Sequence, residues 1–349
     1  MGAAGIMGDY NKLTKLGAGG FGEVWLARHI ALDVLHAVKF VQAGSITNPT
    51  EFYKEPRLLK ELEHRNIVEV YDAGLEGSEL FIAMEYMKAG SVEDRCSEPL
   101  KLRRIKPIFC EALKGLQWVH DKGYLHRDLK PANILVDRKG GGKLADFGLA
   151  IPAREALLTA PAGTLTYLAP EVLITGEMTI LTDIYAMGVS LYEAMNGLSY
   201  LPAITNSTAL RNNIVAGDFP DRRYYRIYIP KSLKLVINKT MNPDPAKRFQ
   251  SADELRQALE RTKIRCSWTE KFVGGRLSWV THDRDRVLTV RLLPIQSEWA
   301  VDVRQRKHEA KPEQRVGCLC GNFPTEERAR QRIAEVTQGL VSGKDIKDI

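Results

Sequence analysis

Short apolar stretches separated by turn residues open the chain. Near residue 91 they give way to long segments in which apolar side chains recur every three or four positions. In the first third, 10–16, 22–28, 37–42, 67–73 and 80–85 alternate or run apolar in the manner of strands, and 51–62 has helical spacing. That pattern predicts a small antiparallel sheet with one helix. Helical periodicity then dominates to residue 262, best at 102–122, 181–196, 233–241 and 252–262. After residue 265 the period shortens again. The segments 268–273, 277–281, 287–293 and 299–304 are short β-like runs, and 315–320 is a further candidate. Thr325, with Glu326 and Glu327 behind it, reads as a capped helix start whose apolar positions Ala329, Ile333, Val336 and Leu340 share one face. The expectation is an α+β chain in three parts. Residues 10–87 form a β-rich lobe and 88–262 an α-helical lobe. Residues 263–349 form a small α+β module, and residues 1–9 are a flexible lead-in.

Charge sharpens the last boundary. The chain of 349 residues carries a net +7. From Lys263 onward there are 17 Lys and Arg against 12 Asp and Glu, so the final 87 residues hold +5 of that surplus. The module is therefore basic and the rest nearly neutral. Its cations Arg304, Arg306, Lys307, Lys311 and Arg315 fall in one hairpin-like stretch, which reads as a solvated loop, a surface for a partner protein, or less readily a nucleic-acid contact. No run reaches the ~18 apolar residues of a membrane helix, and the N-terminus lacks the pattern of a secretory signal. The cysteines are five, scattered and odd in number, which suits a reducing cytoplasm better than a disulfide framework.

Residues 17–24, Gly-Ala-Gly-Gly-Phe-Gly-Glu-Val, form a G-x-G-x-x-G-x-V run. Glycines let backbone N–H groups approach phosphates closely. The same run could be a glycine-rich hairpin or a dinucleotide loop, but residues 23–28 continue as a strand, whereas a dinucleotide loop opens a helix. Lys39 follows in Ala37-Val38-Lys39. It is either a snorkelling edge residue or an ammonium for phosphates, which then needs a carboxylate such as Glu55 to hold it. The decisive run is His126-Arg127-Asp128-Leu129-Lys130-Pro131-Ala132-Asn133. No structural need demands Asp, Lys and Asn at these offsets in one loop. Phosphoryl transfer does: Asp128 to take a hydroxyl proton, Lys130 to neutralise the γ-phosphate, Asn133 to bind magnesium. Asp146-Phe147-Gly148 comes thirteen residues after Asn133, and at that distance Asp146 is expected to bind magnesium as well.

These motifs, in this order and spacing, resemble the eukaryotic-type (Hanks) Ser/Thr protein kinase family from about residue 10 to 262. The compact segment between residues 148 and 171 is closer to bacterial members. The resemblance implies a two-lobed protein kinase fold with ATP and Mg2+ bound between the lobes, a protein substrate, and transfer of the γ-phosphate to Ser or Thr. It implies that Leu16, Gly17, Gly19, Gly22, Val24, Ala37 and Leu135 surround the nucleotide. It also implies that Met84 is the gatekeeper and that 85–87, with Glu85 and Met87, is the hinge facing adenine. Gly163-Thr164-x-x-Tyr167-x-Ala169-Pro170-Glu171 resembles the end of the activation segment, with Thr164 beside Asp128 and Lys130. Asp183 resembles the aspartate that braces the catalytic loop, and Arg248 the partner of Glu171.

In the family, an arginine placed like Arg127 needs an anionic partner. That implies a phosphorylated activation segment, with Thr159 as the site. Pro56, directly after Glu55, is the one departure. Either it kinks a helix begun at residue 49, or the regular helix starts beside it. Both placements make the Lys39–Glu55 pair an expectation tied to activation. Two other functions compete, a pseudokinase-like scaffold and a small-molecule kinase. Lys39, Asp128 and Asp146 together count against the first, and the 163–171 segment with Arg248 against the second.

Overall fold

The computed structural model describes residues 6–7, 9–19, 22–42, 53–76, 79–96, 99–153, 155, 163–197, 206–273, 276–307 and 311–349. The first lobe is a six-stranded antiparallel sheet of β1 (Ile6–Met7), β2 (Tyr10–Gly19), β3 (Gly22–His29), β4 (Val34–Gln42), β5 (Val70–Glu76) and β6 (Glu79–Glu85), in the order β1-β2-β3-β4-β6-β5. Ile6 and Met7 pair with Asn11 and Tyr10, so part of the lead-in joins the sheet. Tyr10, Ala27, Val38, Phe40 and Ala83 pack on one side of the sheet. Helix α1 (Lys54–Glu61) begins after Tyr53, with Glu55 and Pro56 in its first turn. A proline there removes no intrahelical bond, because the first N–H groups of a helix have no internal acceptor. The described helix thus takes the second of the two placements for Pro56. Residues 48–52, which the kinked alternative requires, lie outside the described residues.

The second lobe is built on α2 (Leu102–Asp121) and α4 (Ile180–Asn196). Along α2 the buried side chains Leu102, Ile105, Phe109, Leu113 and Leu116 recur at helical spacing. The helix α4 is buried on all sides from Thr182 to Asn196, largely apolar but with Asp183, Ser190, Glu193 and Asn196 among its buried members. Its start is fixed by Thr179, whose hydroxyl accepts the Leu181 N–H. Around the pair lie α3 (Pro170–Thr175), α5 (Ser207–Ala216), α6 (Lys231–Thr240) and α7 (Ala252–Arg261). Short strands β7 (Tyr124–Leu125), β8 (Ile134–Val136), β9 (Gly142–Leu144) and β10 (Ile151–Pro152) frame the loops facing the first lobe. None of the described helices is long and apolar enough to cross a membrane.

Residues beyond 265 form an antiparallel meander of β11 (Trp268–Val273), β12 (Arg276–Asp283), β13 (Arg286–Ile295) and β14 (Glu298–Arg306). Two short strands, β15 (Gln314–Arg315) and β16 (Gly321–Phe323), both add to the far edge of β14. The strand expected over 315–320 is instead a 3-10 turn, Gly317–Leu319. The Cys320 thiol accepts the Val303 N–H at 3.2 Å and lies 3.2 Å from the Val316 carbonyl oxygen. A side chain therefore takes the place on β14 that a backbone group would hold, and the chain bows out between β15 and β16. Helix α8 (Glu326–Val341) covers the sheet with Ala329, Ile333, Val336 and Leu340 buried, and the Thr325 hydroxyl caps it by accepting the Arg328 N–H.

This sheet and helix rest directly on the second lobe. Cys266, Trp268 and Trp279 belong to the same apolar cluster as α2 and α4. Arg226 pairs with Glu270 at 2.6 Å, Gln338 donates to the Ile227 carbonyl at 2.7 Å, and the Arg103 N–H donates to Ser267 at 2.9 Å.

Candidate active site

The loop that follows β7 is positioned from below by α4. The Asp183 carboxylate, in the first turn of that helix, accepts the N–H of His126 at 2.9 Å and of Arg127 at 3.0 Å. It also meets His120 Nε2 at 2.9 Å. Burial pushes this carboxyl up, but the hydrogen bonds from His120 and from the His126 N–H outweigh it and hold Asp183 below the usual range. The grip matters because Arg127 adopts φ 69°, a left-handed conformation that a non-glycine residue keeps only when its surroundings enforce it. His126 donates from Nε2 to the Ala145 carbonyl at 3.2 Å, accepts the Asp128 N–H at Nδ1 at 3.4 Å, and packs at a tilt against Phe147 with ring centres 4.6 Å apart. Burial pushes its imidazole down, so it is neutral.

The Asp128 carboxylate points into a ring of donors. One oxygen accepts from Lys130 Nζ at 2.6 Å and Asn133 Nδ2 at 3.2 Å. The other accepts from the Thr164 N–H at 3.1 Å and the Thr164 hydroxyl at 3.0 Å. Lys130 Nζ also reaches the Thr164 hydroxyl, at 3.1 Å. Burial alone would raise Asp128, but the Lys130 hydrogen bond and charge, with Thr164, hold it below its ordinary value. Asp128 is therefore ionised at neutral pH. Gly163 makes the close approach of Thr164 feasible. It has φ 116°, and a Cβ there would lie 2.5 Å from the Arg127 carbonyl oxygen.

Lys39 enters from β4. Its ammonium lies 2.7 Å from Glu55 on α1 and 3.7 Å from Asp146. Burial opposes the charge, but the two carboxylates outweigh it and hold the ammonium above its usual value. The pair is closed in this structure, because α1 begins at Lys54 and presents Glu55 from its first turn. Asp146 is itself held at φ 60°, between buried Phe147 and the end of β9. Asn133 donates to the Asp128 carbonyl at 2.8 Å, which leaves its amide oxygen as the acceptor end. Among the described residues there is no cluster of three or more His, Cys, Asp or Glu able to hold a metal. Magnesium needs none, since one or two protein oxygens with substrate phosphates and water complete its shell. An amide oxygen and a carboxylate 40% exposed toward the cleft suit it.

Above this floor, Gly17 pairs with Val24 and Gly19 with Gly22 across the β2–β3 hairpin. Gly22 has φ 117°, and a Cβ there would strike the Phe40 carbonyl oxygen. Val24 lies opposite Lys39, and Ala37 opposite Met84. Val24, Ala37, Met84 and Leu135 are half-buried, Leu16 is exposed and Met87 is buried. The Glu85 N–H donates to the Glu69 carbonyl, and its carboxylate pairs with Lys143 at 2.5 Å. The Arg127 side chain is buried, with Nε 3.2 Å from Met178 Sδ, and burial pushes its guanidinium down. Thr159 lies outside the described residues. Glu171 and Arg248 form a two-point pair at 2.6 and 2.7 Å.

The sequence reading missed three contacts: His120 on Asp183, Lys143 on Glu85, and Glu193, which accepts from the Tyr167 hydroxyl at 2.7 Å. Each joins residues 26 to 63 positions apart, and no local pattern announces such a pair.

The protein kinase domain model matches residues 10–260. CBL-interacting protein kinase 1 of Oryza sativa subsp. japonica is 33% identical over 260 residues, covering 71% of this chain and 55% of that protein. Serine/threonine-protein kinase PrkC of Bacillus subtilis (strain 168) is 30% identical over 260 residues, covering 72% and 40%. Serine/threonine-protein kinase PknH of Mycobacterium tuberculosis is 30% identical over 258 residues, covering 72% and 41%. The chain spans about half the length of the curated relatives it matches. With the domain model matched along most of its length and relatives of the Ser/Thr type on both the plant and the bacterial side, the chain belongs to the protein kinase family and has the two-lobed protein kinase fold, followed by further strands and a helix.

Proposed function

We propose that the chain is an active Ser/Thr protein kinase that moves the γ-phosphate of Mg-ATP onto a protein hydroxyl. The observation that carries this reading is the Asp128 carboxylate, ionised and ringed by Lys130, Asn133 and Thr164, below a closed Lys39–Glu55 pair. Asp128 orients the acceptor hydroxyl and takes up its proton. Lys130, 2.6 Å from Asp128, neutralises charge on the phosphoryl group in flight. Lys39 grips the inner phosphates, and Glu55 keeps its ammonium aimed at them. Gly17, Gly19 and Gly22 cover the phosphates. Leu16, Val24, Ala37, Met84 and Leu135 enclose adenine, with the 85–87 backbone as its edge. Asn133 and Asp146 would hold magnesium, which when bound would neutralise charge on the phosphates. A pseudokinase reading loses ground because none of these groups is missing and the Lys39–Glu55 pair is formed. Loss of phosphotransfer to a generic protein acceptor on Asp128→Ala is the test.

The same reading assigns residues 10–87 and 88–262 to the two lobes of the kinase domain and 263–349 to a basic module that selects protein partners or substrates. Phosphorylation of Thr159 is the switch: its phosphate supplies an anion to the Arg127 side of the catalytic loop. The cytoplasm suits five cysteines that are all free thiols.

A further inference from the structure

Elsewhere in this protein, charges drawn into a junction are compensated. Arg226 meets Glu270, Arg248 meets Glu171 and Arg265 meets Asp283, each at 2.6–2.8 Å. One junction instead gathers exposed cations at the surface. Where α6 and the end of α7 face α8, the seam between the second lobe and the C-terminal sheet and helix opens into a cleft of about 640 Å³. Four cations line it: Lys231 and Arg261 from the lobe, Lys263 from the connection, and Lys344 from beyond α8. Among the described residues none of the four is in an ion pair, and Arg261 meets only the Gln257 amide oxygen, at 3.3 Å. The sole acidic side chain in the lining, Glu335, is taken by Arg332 at 3.0 Å. All four are exposed, so water screens their mutual repulsion, but together they concentrate positive charge at one concavity and attract an anion to it.

We propose that this cleft is a docking site for a phosphorylated protein segment. Its volume is that of a ligand pocket rather than of a long backbone-tracking groove. Its lining contains no aromatic residue, so it lacks the stacking platforms on which single-stranded nucleic acids rely. A doubly charged phosphate with acidic neighbours matches three or four ammonium and guanidinium groups, and it gains charge-assisted hydrogen bonds from them. The walls come from both sides of the seam, which the shared apolar cluster and the Arg226–Glu270 and Gln338–Ile227 contacts hold together, so the cleft is preformed. The choice of a phosphorylated segment as occupant rests on the kinase reading above. A kinase that holds a segment already phosphorylated, its own or a substrate's, keeps that protein bound for further transfer.

The test is binding of a fluorescent synthetic peptide, one phosphothreonine flanked by aspartates, to the full chain without nucleotide. The same peptide unphosphorylated and a single-stranded oligonucleotide of equal charge run beside it. The expected result is binding about tenfold or more tighter for the phosphopeptide than for its unphosphorylated form. That margin should be lost in Lys231→Glu/Lys344→Glu, while phosphorylation of a generic acceptor is unchanged. Phosphopeptide binding that survives the double reversal, no preference for the phosphate, or an oligonucleotide that binds more tightly and is released by the reversal would each overturn the proposal. Asp128→Asn separates the two readings, because it abolishes transfer and leaves peptide binding intact.

Discussion

Removing the carboxylate of Glu171 should destabilise this protein far more than removing an ordinary surface charge. Arg248 has no exposed side-chain surface, and every N–H it owns is engaged. Two meet Glu171 at 2.6 and 2.7 Å, and the rest go to the carbonyls of Asn242 at 2.7 Å, Leu181 at 2.9 Å and Pro243 at 3.2 Å. Glu171→Ala strips the only carboxylate from a guanidinium that water cannot reach. Breaking a buried pair in this way costs about 3–5 kcal/mol. At roughly 2–4 °C per kcal/mol for a domain of this size, the melting temperature should fall by about 6–20 °C. Because the penalty comes from the orphaned charge, Glu171→Ala/Arg248→Met should lose clearly less than the sum of the two single changes. Thermal unfolding of the four proteins decides it. A fall below about 3 °C for Glu171→Ala, or strict additivity, would show that the pair contributes no more than an exposed one.

A chain ending at Thr262 should still phosphorylate a generic acceptor but lose rate on its natural target, and it should melt lower because Arg226 loses Glu270 and the Ile227 carbonyl loses Gln338. Folded truncated protein that is inert on every acceptor would place the module inside the catalytic unit. The Asp128 carboxyl is held below 3.8 chiefly by Lys130 against the effect of burial. Its contribution to stability is therefore present above its unfolded pKa and fades only as pH falls through the lower folded value. The pH profile of kcat/KM should then show no acid limb from Asp128 above about pH 4. In Lys130→Ala the residual activity should show that limb moved upward, and an unmoved limb would mean that Lys130 does not set the charge of Asp128. Thr159 should gain a phosphate on incubation with Mg-ATP, and Thr159→Ala should be slower in transfer. Mass spectrometry that finds no modification, together with a fully active variant, would remove Thr159 as the switch.

Much of the site is legible because phosphoryl transfer constrains residues that are close in sequence. Asp128, Lys130 and Asn133 sit in one loop, and the structure brings Lys130 and Asn133 to 2.6 and 3.2 Å of the Asp128 carboxylate. The long helices are legible for a different reason. The apolar stripe of α2 and the largely apolar α4 leave no other way to hide their side chains. Where reading failed, a single distant contact decided the outcome. The run at 67–73 looks like a strand throughout. Its first residue instead makes a lone parallel bridge from Ile67 to Leu144, and the ladder begins only at Val70, beside a bulge. At 315–320 the Cys320 thiol displaces a ladder bond on β14. The packing of the module on the second lobe was not readable from a charge break, because Arg226, Gln338 and Trp268 each look like ordinary members of their own elements.

The central claim is that Asp128 is the acceptor's base in a working phosphotransfer site. Its most direct test is the rate of γ-phosphate transfer from Mg-ATP to a generic protein acceptor by wild type beside Asp128→Ala, with Lys39→Met and Asp146→Asn as companions. The account predicts a loss of about 100-fold or more in each, equivalent to more than about 2.7 kcal/mol of barrier, in proteins that remain folded at the assay temperature. Near-wild-type turnover in folded Asp128→Ala would contradict it.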